Sequence, residues 1–151
     1  MPEPATHMTA GTEPIAHGVA QPASLESFLA LDFGPRRTGV AYGTRLLGRA
    51  RPLPTIDARE ARRRLDRVGV QIAQWEPQGL VVGVPFHPDG AAHANTALAR
   101  RFARALQTRF GLPVFEVDER YSTTEALQEG ARDPDAGAAC IILEQFLRGL
   151  S

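Results

Sequence analysis

Unbroken apolar runs alternate with amphipathic stretches along this chain. Phe28-Leu29-Ala30-Leu31 is apolar without alternation and stops at Asp32, with Gly34 two places further on. Such a run predicts a strand buried on both faces, with an acid where the core ends. Gly39-Val40-Ala41-Tyr42-Gly43 predicts a second strand, and the short stretch from Pro35 to Thr38 fits a hairpin between them. A third strand, Arg49 to Ile56, carries Pro52 and Pro54. Proline donates nothing to a ladder, so this strand is expected at an edge or to be short. Leu80-Val81-Val82-Gly83-Val84-Pro85 predicts a central strand, and Leu112 to Val117 the last one.

Between the strands the period lengthens. Ala61, Leu65, Val68, Ile72 and Trp75 recur at 4-3-4-3 spacing, one face of a helix, with Asp57 offered as its cap and Glu76-Pro77-Gln78-Gly79 as its end. Arg59, Arg63 and Arg67 form a ridge elsewhere on it, with Arg62 and Arg64 beside it, and read as a solvated face paired with Glu60 and Asp66. The next helix is expected to bury Leu98, Phe102, Ala105, Leu106 and Phe110, to leave Arg100, Arg101 and Arg104 outside, and to stop at Gly111. Ser122 to Glu125 has the spacing of a capping box. In the last helix Asp133-Pro134 reads as cap and first residue, with Ala138, Ala139, Ile142, Leu143, Phe146, Leu147 and Leu150 facing the core. Strands followed by helices in this order predict an α/β domain.

At 151 residues the chain is large enough for one domain with a real core, and 43% hydrophobic with 23% charged residues is the balance of a soluble globular protein. The formal charge is zero, but residues 1–27 hold three acids and no arginine, which leaves 17 basic residues against 14 acids in the remainder, a net of +3. Every basic residue is arginine, which grips phosphate through paired hydrogen bonds. Residues 1–27 are rich in Pro, Ala, Thr and Gly and read as a flexible tail, with residues 28–151 as the folded domain. The tail has neither the basic start nor the apolar core of a secretory signal, and no run approaches the roughly 18 apolar residues needed to span a bilayer. His7 and His17 in the tail read as solvated. One cysteine, Cys140, excludes an intramolecular disulfide.

The acids carry the candidate chemistry. Asp32 ends the first strand, and Asp118 and Glu119 end the last. Neighbours on a strand face opposite ways, so one of Asp118 and Glu119 is expected at the site, and the pattern leaves open which. Asp135 precedes Ala139, Ile142 and Phe146 by four, seven and eleven places, in the middle of the final helix's apolar stripe, so it points at the sheet. A helix dipole explains an acid in the first turn, but not one that faces inward. Carboxylates gathered from these places would repel one another unless a cation lay among them. Hard oxygen ligands suit Mg²⁺ or Mn²⁺ rather than zinc, and such ions assist phosphodiester hydrolysis. His87, Asp89 and His93 follow a strand end, where open sheets place ligands, although Asp89-Gly90 also makes an ordinary turn.

The motifs Leu31-Asp32-Phe33-Gly34 with Arg37-Thr38-Gly39-Val40-Ala41, Val82-Gly83-Val84-Pro85 with Asp89-Gly90, Asp118-Glu119-Arg120-Tyr121-Ser122-Thr123, and Asp135-Ala136-Gly137-Ala138-Ala139 before Ile141-Ile142-Leu143 stand in the order of one family. At these residues the chain resembles the YqgF/RuvX family of RNase H-like proteins, across roughly residues 28–148. The resemblance implies an RNase H-like α/β fold, a mixed five-stranded sheet flanked by helices. It implies a cytoplasmic, Mg- or Mn-dependent nuclease that trims the precursor of small-subunit ribosomal RNA, a family formerly assigned to Holliday junction resolution. Asp32, Asp118, Glu119 and Asp135 are then the expected catalytic residues, with Asp32, Glu119 and Asp135 on the metal. Arg36, Arg37, Arg120 and Arg132 are the expected nucleic-acid contacts, in a monomer or homodimer. The chain departs from the family in a short segment, Ala126 to Pro134, before the last aspartate, and in lacking a lysine there, whose charge Arg132 can replace.

Two rival readings belong to other classes. Actin-like and sugar-kinase ATPases open with a similar strand pair but need two such lobes, and this length supplies one. A non-catalytic module that grips RNA or a protein partner in transcription or ribosome assembly is the stronger rival, and only cleavage separates it from a nuclease.

Overall fold

The computed structural model describes residues 15–17, 22–87, 89–119 and 133–150. Six strands form one mixed sheet in the order β1-β6-β5-β2-β3-β4. They are β1 (Ile15–His17), β2 (Ser27–Phe33), β3 (Arg37–Thr44), β4 (Ala50–Asp57), β5 (Gly79–Pro85) and β6 (Val114–Glu119). Strands β2, β3 and β4 are an antiparallel meander, β5 and β6 run parallel to β2, and β1 is antiparallel to β6. Helices α1 (Ala61–Trp75), α2 (Thr96–Phe110) and α3 (Pro134–Gly149) cover the two faces.

The five expected strands are all present, and β2 and β5, the two runs without alternation, lie inside the sheet. Proline-bearing β4 is an edge strand, as its missing donors require. The other edge differs from the expectation. Ile15–His17, within the segment read as a tail, pairs with Val114 to Glu116 and so caps the outer edge of β6. Three residues are too few to show a hydrophobic period. Their pairing comes from the ladder groups that β6 offers.

Pleating divides the core in two. Phe28, Ala30, Ala41, Val81 and Phe115 pack against Ala139, Ile142, Leu143, Phe146 and Leu147 of α3. Phe28 lies edge-on to Phe146 with ring centroids 4.9 Å apart. Leu29, Leu31, Val40, Leu80, Val82 and Val114 form the opposite layer with Val68 of α1 and Phe102, Ala103 and Leu106 of α2. Each full burial of such a side chain contributes about 1.5–3 kcal/mol.

Helix ends follow local chemistry with two corrections. Glu76 and Gly111 close α1 and α2 in the left-handed conformation, and Asp133 caps α3 by accepting from the Asp135 and Ala136 amides. Asp57, however, remains in β4, and α1 begins after Glu60 without a side-chain cap. In α2 the buried stripe is Ala99, Phe102, Ala103 and Leu106, while Leu98 is 38% exposed. Two small alanines let α2 sit close to the sheet, which turns the larger leucine outward. The Ser122–Glu125 capping box lies outside the described residues. No helix among the described residues is long and apolar enough to cross a membrane.

Candidate active site

The site is built at the end of the sheet where β2 runs out of core. Asp32 is in register with Gly39 of β3 on one side and Gly83 of β5 on the other. Register partners project to the same face, here the face that α3 covers. Gly39 could not carry a side chain without moving backbone, and one on Gly83 would displace neighbouring side chains. A β-carbon on Gly39 would lie 1.9 Å from the carbonyl oxygen of Asp135, and one on Gly83 would lie 2.5 Å from Ile142 Cδ1 and 2.9 Å from Glu119 Oε1. The space beside Asp32 is thus filled by the first turn of α3 and by the Glu119 carboxyl.

Alternation along β6 separates the two acids at its end. Phe115 and Val117 belong to the α3 layer and Val114 to the opposite one. Glu119 therefore shares the face of Asp32, and Asp118 projects to the other face, beside Glu116, which pairs with Arg100 of α2 at 3.5 Å. Of the four expected catalytic acids, Asp118 is the one that the pleat turns away. Its charge still reaches Glu119 through space.

A side-chain hydrogen bond links Glu119 to Asp32, and burial is the largest influence on both. It raises the Asp32 carboxyl above its ordinary value, an effect that the bond from Glu119 opposes and the Asp135 charge reinforces. Glu119 is raised well above the usual carboxylate range by burial, by its bond to Asp32 and by the Asp32 and Asp118 charges. Burial and mutual repulsion thus raise both carboxyls, and the two titrate as a pair that holds protons more readily than free carboxyls do.

Asp135 stands close enough for its charge to act on Asp32, but its carboxylate pairs with Arg37 Nε at 3.4 Å. Burial raises its pKa, and Arg37 works in the opposite direction. Among the described residues no three Asp, Glu, His or Cys side chains converge on a point as metal ligands would. The expected cage of Asp32, Glu119 and Asp135 is therefore a pair with a neighbour. A hydrogen bond joins the pair, and the Arg37 guanidinium holds the neighbour.

The donor set nevertheless suits a hard cation. It consists of carboxylate oxygens, and Glu119 Oε1 is buried with no hydrogen-bond partner, a costly state that an ion would relieve. Asp32 and Glu119 would hold the ion, with Asp135 released from Arg37 as the third ligand.

Around this centre the expected contacts divide. Arg36 and Arg37 are exposed on and beside the β2–β3 turn, and Arg37 reaches Asp135. Arg120 and Arg132 lie outside the described residues. Past the end of β5, Asp89 Oδ1 accepts from the Ala91 amide, a turn role. The His87 and His93 rings meet at a tilt with centroids 5.1 Å apart, and His93 Nδ1 accepts from the Asn95 amide. The residue that the sequence reading misplaced is Arg64, taken as part of a solvated ridge but only 2% exposed beneath the β2–β3 turn. Its signal was positional, since Arg64 precedes buried Val68 by four places.

Comparison with known proteins agrees with this architecture. Residues 26–149 match the family described as "RuvX: Holliday junction resolvase". A relative from Albidiferax ferrireducens, named "Putative pre-16S rRNA nuclease", is 61% identical over 150 residues, which cover 99% of this chain and 96% of the relative. A relative of the same name from Polaromonas sp. is 60% identical over 128 residues, covering 85% and 92%. Among solved structures, T. thermophilus RuvC in complex with a Holliday junction substrate aligns with a TM-score of 0.51 at 16% identity, over 80% of this chain and 91% of that one. That likeness shows the RNase H-like fold. The match over residues 26–149 takes in the whole of β2 to β6 and α1 to α3, and the chain belongs to the RuvX family.

Proposed function

We propose that this chain is a divalent-metal-dependent nuclease that hydrolyses phosphodiester bonds in the precursor of 16S ribosomal RNA, at its 5′ end, in the cytoplasm. The observation that carries the reading is the Asp32–Glu119 pair, two hydrogen-bonded acids on one face at the end of the sheet, with Asp135 beside them. The names of the relatives supply the RNA substrate.

When bound, Mg²⁺ or Mn²⁺ would activate a water and stabilise the leaving oxygen of a phosphodiester. The chain's own residues prepare that step. Asp32 and Glu119, held side by side at the strand ends, would supply the carboxylate oxygens that hold the ion. Arg37 neutralises Asp135 in the present arrangement and, once released, stands with Arg36 where a phosphate backbone could be held. Two arginines beside three acids separate the binding role from the hydrolytic one.

The test is cleavage of a 5′-labelled pre-16S RNA fragment with Mn²⁺, by the native chain and by Asp32→Asn. The reading requires product from the native chain and loss of roughly a hundredfold or more in the variant. Equal rates, or RNA binding with no cleavage by either protein, would favour the binding module. The family's description favours a four-way DNA junction as the second substrate for the same assay.

A further inference from the structure

Arg64 is turned inward from an α1 face whose other arginines, Arg62, Arg63 and Arg67, are exposed. Its Nη1 donates to the Gly34 carbonyl at 2.5 Å and to Thr38 Oγ1 at 2.5 Å, and its Nη2 donates to the Pro35 carbonyl at 2.8 Å. The guanidinium lies over Phe33, 4.4 Å from the ring centroid, with Phe102 at 5.8 Å. Burying a cation is expensive, and the desolvation pulls its pKa down. Among the described residues, every hydrogen-bond acceptor it meets is uncharged. Packing alone would be served as well by leucine or methionine, so the guanidinium is held there for its donors. All three acceptors lie in residues 34–38.

That stretch and Gly39, which follows it, are gripped from both faces of the sheet. Below it is Arg64. Above it, the Asp135 carbonyl rests on Gly39, and the Asp135 carboxylate pairs with Arg37. The position of the turn therefore fixes where the first turn of α3 can stand relative to Asp32.

We propose that Arg64 is a positioning residue that holds the β2–β3 turn where it sets Asp135 against Asp32, and so governs how tightly the site takes a divalent cation. The proposal rests on the metal-dependent reading above and adds a residue 32 places from Asp32 along the chain, on the opposite face of the sheet. Hydrogen bonds that orient metal ligands commonly change affinity by about 10–100-fold.

The measurement is Mn²⁺ binding to the full chain by calorimetry, for the native protein, Arg64→Met, Arg64→Lys and Val68→Ala. Arg64→Met removes every donor and is expected to weaken Mn²⁺ about tenfold or more. Arg64→Lys keeps the charge, but one ammonium cannot span two carbonyls and a hydroxyl, so its affinity falls between the two. Val68→Ala destabilises the same helix one turn away without removing a hydrogen bond to the turn, and its affinity is expected to match the native value. Equal affinity in Arg64→Met and native protein overturns the proposal, as does equal weakening by Val68→Ala. If neither Arg64 variant folds, the residue is structural and the proposal fails. A native chain that takes up no Mn²⁺ removes the metal reading itself, and this inference with it.

Discussion

The carbonyl oxygen of Asp135 occupies the place beside Gly39 where any other residue would carry its β-carbon, 1.9 Å from that position. The first turn of α3 thus rests directly on the strand that pairs with Asp32. Gly39→Ala must lift the helix, since its contacts are the backbone atoms of Asp135 and Ala136, which cannot swing away. Overpacking of this kind costs about 1–3 kcal/mol. We expect a lowered Tm and loss of cleavage out of proportion to the loss of fold. Native-like cleavage in a folded Gly39→Ala protein would show that the helix position does not matter.

Asp32→Asn and Glu119→Gln keep the shape of the pair and remove its ionisation. Both are expected to reduce cleavage strongly. In EDTA, neither should lower Tm by much, because a buried carboxyl held above its ordinary pKa is a liability without a cation. A large drop in Tm would mark the pair as structural.

The same pair makes the metal-free protein sensitive to pH in a definite direction. Ordinary values for the two groups are 3.8 and 4.5, and folding raises both. The folded state therefore binds more protons than the unfolded state between those values and the raised ones. The contribution to stability is fully present below the ordinary values and is lost as pH rises through the raised ones. In EDTA, the Tm of Glu119→Gln relative to native protein should climb with pH from acid towards neutral. A difference that stays flat would disprove the assignment. Added Mn²⁺ should stabilise the native chain most at the neutral end, where the proton no longer competes.

Asp133 is the third support of α3. Its side chain accepts from the Asp135 and Ala136 amides, and Oδ2 also accepts from Thr55 Oγ1 at 2.6 Å. Asp133→Ala is expected to destabilise the protein by about 1–2 kcal/mol in denaturant unfolding. Thr55→Val, which loses one bond and leaves the cap, should fall by less. Equal losses would mean that the tie to β4, rather than the cap, carries the effect.

Much of this architecture was legible from periodicity alone. The unbroken runs at Phe28 and Leu80 became interior strands, the prolines of β4 placed it at an edge, and Asp133-Pro134 began α3. These features depend on neighbours a few residues apart, which a linear pattern records. The position of Asp32 at a strand end was readable for the same reason, whereas the Asp135 side chain, expected to face inward, stays 37% exposed against Arg37.

Other features depended on which surfaces meet. The choice between Asp118 and Glu119 is a matter of pleat parity, settled by the pairing of Pro85 with Glu119 on the α3 side. Leu98 turned outward because Ala99 and Ala103 permit a closer helix. Arg64 went inside because unsatisfied carbonyls of a distant turn lie over its helix, and Asp135 met Arg37 instead of closing a cage of three acids. The sequence by itself determined the elements and the acids that end them, because spacing decides which side chains share a face. Only the tertiary structure decided which acids pair with each other and which one meets a guanidinium, because charge and desolvation act between groups that the chain holds far apart.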